Sequence, residues 1–238
     1  MKSWNPKTIA WYMQAGEHSQ YPGEIIAQIL PRLRAGDTVL DIGCGPGVYA
    51  LALAPYVAEY LALDKNRDVL DNVEKMAASR RLNNIDCLHY TWPHAPAVRE
   101  ADVIICALGS GEIMTGKDNI LAMFSLQPRF VFLVAPGSYL PPFGWRQHRR
   151  RPGPEGRDTL ALLDSLNVKY DVQTFSLDFG QPVGTMAEAA EFLAQFLDLP
   201  PSRARELAAA IALPHSQGLY LPNRRNFLLI TLDTPREK

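Results

Sequence analysis

The chain has 238 residues, 47% of them hydrophobic, and a formal net charge of −1 at pH 7. That length and apolar share support one domain with a sizeable core, while the near-neutral balance gives no global attraction to nucleic acid or anionic membrane. Cys44, Cys87 and Cys106 are odd in number and lack metal-ligand spacing, so no metal site is expected. The last two fall in predicted core strands and read as small buried hydrophobes in a reducing compartment. The opening residues lack an apolar signal region, and no apolar run approaches a membrane span, so a cytoplasmic protein without a membrane partner is expected.

The first predicted helix occupies residues 2–13, carries Trp4, Trp11 and Tyr12, and has Pro6 well placed for a first turn. Gly16 is expected to break it, leaving residues 17–20 as a polar link. A second helix starts at Pro22 with Ile25, Ile26, Ile29, Leu30 and Leu33 on one face, and Pro31 should bend or end it. Residues 38–49 then read TVLDIGCGPGVY. Thr38, Val39, Leu40 and Ile42 have the pattern of a buried strand; Gly43, Gly45 and Gly47 follow at alternate positions, and residues 48–55 read as a buried helix. A glycine turn lets a ligand approach the backbone, and the helix start behind it offers unpaired N–H groups to an anion. Asp41 can accept a hydrogen bond from a ligand ammonium, so the stretch suits the zwitterionic end of an amino acid. The same residues also fit a tight turn without a ligand. A dinucleotide fingerprint, G-x-G-x-x-G, would need glycine at Val48 and usually lacks an acid at Asp41. The second strand, residues 60–63, ends at Asp64, 21 residues after Gly43. A carboxylate at that spacing receives both hydroxyls of a ribose, although a lone strand-end Asp is also a common helix cap.

The D-x-G-x-G-x-G run of residues 41–47 resembles motif I of the class I S-adenosylmethionine-dependent methyltransferases. The resemblance extends over roughly residues 21–136, is specific at residues 41–47 and Asp64, and weakens to strand and helix rhythm in the C-terminal hundred residues. It implies a doubly wound α/β fold with a seven-stranded, mostly parallel sheet whose last strand is antiparallel. It also implies S-adenosylmethionine as cofactor, with S-adenosylhomocysteine as product. The residues it points to are Asp41, Gly43, Cys44, Gly45, Gly47, Asp64 and Lys65, with Thr91, Trp92 and Ala107 further along. In similar proteins the segment before the first strand folds over the cofactor and helps close the substrate pocket. Trp11 and Tyr12 are therefore expected at the pocket, although these aromatics equally suit packing the helix down.

Asn66 should cap a helix carrying Val69, Leu70, Val73, Met76 and Ala77 on one face. A third strand, residues 85–89, leads into Tyr90-Thr91-Trp92-Pro93-His94, where the resemblance places adenine. Thr91 stands where an acid would be expected; its hydroxyl can still accept a bond, and Trp92 can stack on the ring or serve as a core residue. The fourth strand, residues 102–107, opens into residues 108–112 at its carboxyl end, where open α/β sheets bind ligands. Leu108, Ser110 and Glu112 are candidate substrate contacts there, while Gly109 and Gly111 make room for substrate or shape a loop. This turn lacks the N/D-P-P-Y/F/W signature of methyltransferases acting on base amino groups. A helix at residues 120–126 and a fifth strand at 130–134 precede Tyr139, another candidate contact, and a basic run at 146–151 that reads as a solvated loop or an anion contact.

A helix at 158–166 and a strand at 168–177 come before an insertion at 180–222, and the last strand is 226–232. The insertion has two helical patterns: Thr185 and Glu188 have capping-box spacing, and Ser202 reads as the cap of the second helix. It either covers the substrate opening or makes a contact in a homodimer. The chain thus divides into an N-terminal helical lid (1–35), a cofactor-binding core (36–136) and a substrate-side half (137–238). The expected activity is in-line methyl transfer to a small-molecule acceptor, resting on proximity and orientation. A base is needed only for a protonated acceptor. His18, His89, His94, Tyr12 and Tyr139 are the possible bases, and no pattern singles out one as catalytic. The alternatives are a cofactor-binding protein without turnover, and a methyltransferase acting on a macromolecule. The balanced charge and the lack of an appended binding module count against the latter, so no nucleic-acid partner is expected.

Overall fold

The computed structural model describes residues 4–95, 98, 100–109, 111–145 and 156–233. In chain order the strands are β1 (Thr38–Ile42), β2 (Glu59–Asp64), β3 (Ile85–His89), β4 (Val103–Ala107), β5 (Phe130–Pro136), β6 (Asp171–Asp178), β7 (Gln181–Val183), β8 (Leu213–His215), β9 (Gly218–Leu221) and β10 (Arg224–Asp233). The helices are α1 (Pro6–His18), α2 (Gly23–Ile29), α3 (Val48–Leu53), α4 (Arg67–Ser79), α5 (Gly111–Thr115), α6 (Lys117–Ser125), α7 (Gly156–Ser165), α8 (Met186–Leu197) and α9 (Pro201–Ile211). Seven strands form one sheet in the order β3-β2-β1-β4-β5-β10-β6, with β10 antiparallel to both neighbours. This is the expected α/β sheet with its reversed last strand.

Because helices cover both faces, the central strands are apolar throughout rather than alternating. Val39, Ile105, Phe132 and Val134 point toward α1–α4, while Leu40, Ile104, Cys106 and Leu133 point toward α5–α7. On β10, Phe227 and Leu229 join the first of these cores, and Ile230 and Leu232 the second. Successive residues of a strand face opposite ways, so Arg225 shares the face of Phe227.

Four local expectations need correction. Gly16 does not break α1; it lies inside the helix, where an added Cβ would stand 3.2 Å from a Val48 methyl, so its smallness lets α1 lie close to α3. Ser202 does not cap α9, whose N-cap is Pro200, with Pro201 opening the first turn. Cys87 is half-buried because β3 is an edge strand. The insertion is not purely helical: α8 and α9 accompany a small antiparallel sheet ordered β7-β9-β8. That unit has its own apolar core of Phe192, Leu193, Ala204 and Leu221, joined by Trp11 from α1 and Phe143 from the turn after β5. Other details stand as read. Pro31 converts the end of α2 into a 3-10 turn, Leu30–Arg32, and the Asn66 side chain accepts from the Asp68 N–H at the start of α4. No helix among the described residues is long and apolar enough to cross a membrane.

Candidate active site

At the carboxyl ends of β1, β2 and β4 the glycine turn bounds a cavity of about 470 Å³. Asp41 reaches it from β1 on the α1–α4 face and is 1% exposed. Its Oδ2 accepts from the Tyr60 hydroxyl at 3.0 Å, while Oδ1 has no hydrogen-bond partner among the described residues. Burial pushes the Asp41 carboxyl up to about 7; the Tyr60 bond pulls the other way, and the nearby Asp64 charge adds to the rise. A buried carboxyl left half-bonded at a cavity wall is the partner a ligand cation requires. Asp64, at the end of β2, organises the turn itself. Its Oδ2 accepts from the Gly45 N–H at 3.0 Å and its Oδ1 from the Asn66 N–H at 2.9 Å. Each oxygen keeps lone-pair capacity for one further donor.

Gly43, Cys44, Gly45, Lys65, Thr91, Trp92 and Ala107 also line this cavity, as do Leu108 and Glu112. Gly43 and Gly45 have φ of +71° and +53°, the left-handed region that favours glycine. Cys44 is buried and its thiol is held well above its ordinary value, mainly by desolvation, which makes it an inert wall. Trp92 is a core residue whose indole N–H donates to the Asn119 carbonyl at 3.2 Å and whose ring closes one side of the cavity. Gly47 does not line the cavity. Its φ is +91°, and a Cβ there would meet a Val73 methyl at 2.7 Å, so it fits α3 onto α4.

A second cavity, of about 460 Å³, adjoins the first, sharing Trp4, Tyr12 and Leu108 as walls. Its lining is aromatic: Phe143, Phe179, Phe192, Phe196 and Phe227 join Trp4 and Tyr12. The rings brace one another edge-on. Trp4 meets Tyr12 at 5.4 Å, and Tyr12 meets Phe179 at 5.7 Å. Tyr12 lies between the two cavities. Trp11 does not. One residue along a helix turns the side chain by about 100°, and Trp11 packs edge-on against Phe192 at 5.1 Å and donates to Glu188 Oε1 at 3.0 Å. Tyr139 is 41% exposed and borders neither cavity. Ser110 and the basic run at 146–151 lie outside the described residues.

The residues that sequence reasoning missed come from remote segments. Trp4 lies 3.7 Å from where a Cβ on Gly45 would stand, so it roofs the glycine turn. Its position ahead of Asn5, the N-cap of α1, was the available signal. Arg225, Asn223 and Phe227 enter because β10 runs antiparallel and so begins at the edge where the parallel strands end; Phe227 pairs with Pro136, the last residue of β5. Of the possible bases, His18 packs edge-on with His215, and the His89 ring nitrogen bonds the Lys65 carbonyl at 3.0 Å. Among the described residues no histidine lines either cavity. Burial pushes the Tyr12 hydroxyl up to about 12.

Residues 39–125 match a family model described as a methyltransferase domain. Over that stretch, from β1 to α6, the chain resembles the methyltransferase-domain family. A crystal structure of a SAM-dependent methyltransferase from Aquifex aeolicus superposes on this chain with a TM-score of 0.58 at 12% identity, over 97% of this chain and all of that one, a likeness of fold. An uncharacterised protein of Haemophilus influenzae is 27% identical over 106 residues, which is 44% of this chain and 39% of that protein. The cypemycin N-terminal methyltransferase of a Streptomyces species is 43% identical over 51 residues, 21% of each chain. The matched stretches thus span two-fifths or less of these relatives, and the likeness beyond the methyltransferase domain is one of fold.

Proposed function

We propose that the chain transfers the methyl group of S-adenosylmethionine to a small-molecule acceptor held in the second cavity. The observation that carries this reading is the junction of two dissimilar chambers at Trp4, Tyr12 and Leu108, one walled by carboxylates and the other by aromatic rings. The first chamber fits the cofactor by its donor set. Asp41, whose Oδ1 has no hydrogen-bond partner among the described residues and stands on the cavity wall, suits an ammonium, and the remaining capacity of Asp64 suits a ribose diol. Gly43 and Gly45 permit close backbone approach, and Thr91 and Trp92 stand on the adenine side of the resemblance. Two carboxylates at the turn are ill suited to a pyrophosphate, which counts against a dinucleotide. When bound, S-adenosylmethionine supplies a methyl already activated on a sulfonium.

The protein's part is then to orient an acceptor atom, exclude water and hold the junction closed. Among the described residues neither chamber offers a histidine, and the Tyr12 hydroxyl, held near 12, is a poor base at neutral pH. An acceptor that is already nucleophilic near neutrality fits this wall. Enclosure by α1 and by the α8–α9 unit supports a small molecule over a macromolecule. The three free cysteines accord with a reducing cytoplasm. Calorimetry with S-adenosylmethionine and S-adenosylhomocysteine tests the first chamber, and binding of neither would sink the reading. Acceptor-dependent accumulation of S-adenosylhomocysteine tests turnover; binding without it would leave a cofactor-holding protein.

A further inference from the structure

We propose that the second cavity takes a flat aromatic oxyanion, whose carboxylate or phosphate group pairs with Arg225 while its rings lie among Phe179, Phe196 and Trp4. Arg225 is half-buried on the cavity wall, one pleat before Phe227 on the same face of β10. Among the described residues its side chain makes neither a salt bridge nor a hydrogen bond. Other arginines are engaged. Arg129 holds Asp37 at 2.7 Å, Arg80 reaches Glu17, and the adjacent Arg224 donates to the Ser176 carbonyl at 2.9 Å. No Asp or Glu lines the second cavity, so nothing on its described wall neutralises the guanidinium. Burial works against the charged form of Arg225, and only the Tyr139 phenol acts in the other direction. The charge nonetheless persists at neutral pH, as it does for any protein arginine.

The other polar groups on this wall are largely committed to holding it in shape. Asn223 accepts from the Phe143 N–H at 2.9 Å and donates to the Phe179 carbonyl at 3.0 Å. Asn226 donates to Ser138, and the Gln181 amide to the Pro182 carbonyl. A half-buried cation with no hydrogen-bond or ion-pair partner among the described residues, set among rings that leave about 460 Å³ between them, is matched by an anion on an aromatic frame. Ligand pockets of this kind are apolar with few polar groups, and the polar group fixes orientation. Arg225 would turn the acceptor so that its far edge meets the junction at Tyr12 and Leu108. That this anion is the methyl acceptor rests on the function proposed above; that the cavity binds it does not.

The test is a matched series on the native full chain, with and without S-adenosylhomocysteine: 2-naphthoate, 2-naphthyl phosphate, 2-naphthamide and octanoate, followed by calorimetry. Binding of naphthoate or naphthyl phosphate at least about tenfold tighter than naphthamide is expected, with octanoate weaker than naphthoate. The stronger of the two anions identifies the group. Arg225→Met should erase the preference for anion over amide, and Arg225→Lys should keep part of it. Affinity for S-adenosylhomocysteine should not change in either variant. Equal binding of naphthoate and naphthamide, octanoate as the best ligand, or no binding of either naphthyl anion overturns the proposal on the native protein alone, even should a variant fail to fold. The same preference persisting in Arg225→Met would also overturn it. Failure of S-adenosylhomocysteine to bind, with the anion preference intact, would instead strike the methyltransferase reading.

Discussion

Asp41 is where stability and ligand binding pull against each other. Its carboxyl is raised from 3.8 to about 7 in the folded chain, chiefly by desolvation. The folded chain therefore holds a proton that the unfolded chain releases between about pH 4 and pH 7, so stability falls as pH rises through that window. At roughly 1.4 kcal/mol per pH unit the penalty above pH 7 is on the order of a few kcal/mol. Asp41→Asn keeps an acceptor for Tyr60 and removes the charge. Its melting temperature should exceed that of the native protein by several degrees at pH 8, at roughly 2–4 °C per kcal/mol, with the gap closing toward pH 4. The same variant should bind S-adenosylmethionine at least about tenfold more weakly, since an ammonium gains most from the ionised form. Native affinity should likewise fall as pH drops below 7, with proton release on binding, as calorimetry in buffers of different ionisation heat would register. Asp64 makes a separate case. Asp64→Ala removes the ribose contact proposed for it and also frees the Gly45 and Asn66 N–H groups. Affinity for S-adenosylhomocysteine should fall at least about tenfold, with a stability loss of about 1–3 kcal/mol in urea titration. An unchanged dissociation constant would reduce Asp64 to a turn former. Asp41, Gly43, Gly45 and Asp64 were legible because one local turn brings them together. Trp4 and Arg225 were not, since their nearness depends on how distant segments fold back.

At the level of elements, α1 is a structural wall. Ile9, Trp11 and Ala15 are buried, so removing residues 1–18 would strip apolar core and cost stability as well as turnover. Trp11 ties α1 to the insertion by ring packing on Phe192 and by its bond to Glu188, which also accepts from the Gly184 N–H. Trp11→Ala should cost about 3–5 kcal/mol, the range for deleting a buried aromatic. It should also loosen naphthoate far more than S-adenosylhomocysteine, because the α8 wall belongs to the second cavity alone. Trp11→Phe keeps the packing and should lose only about 1 kcal/mol with the hydrogen bond. Equal weakening of both ligands in Trp11→Ala would mean that α1 acts on the whole edge rather than on one chamber. The sequence pattern located α1 but assigned both of two adjacent aromatics, Trp11 and Tyr12, to the pocket, because the pattern carries no information on which partner each ring meets. The small sheet escaped for another reason. Its strands are three or four residues long, and the two edge strands contain Pro182 and Pro214, which disguise them as loops.

For the whole molecule, the reversal of β10 matters most. Six strands of the seven point their carboxyl ends at one edge, and the antiparallel strand begins there, delivering Arg225 and Phe227 to the cavity that adjoins the first. The insertion then supplies Phe192 and Phe196, and Trp4, Tyr12 of α1 and Leu108 form the shared ridge between the chambers. The resemblance carried by residues 41–47 and Asp64 implied this architecture, and strand and helix rhythm located its elements along the chain. The walls of the second cavity were unreadable, since they come from five separate stretches of chain. If the chambers are functionally distinct, substitutions should sort by wall. Phe196→Ala, confined to the second cavity, should weaken 2-naphthoate and leave S-adenosylhomocysteine unaltered. Trp4→Ala should weaken both by about tenfold, because the indole roofs Gly45 on one side and faces Phe179's neighbour Tyr12 on the other. Trp4 is half-buried outside the regular helix, so its loss should cost less stability than that of Trp11. Paired calorimetric titrations of the two variants decide the matter. A Trp4→Ala protein that loses only one ligand would show that the chambers do not share the wall, and the acceptor would then have to reach the methyl by another route.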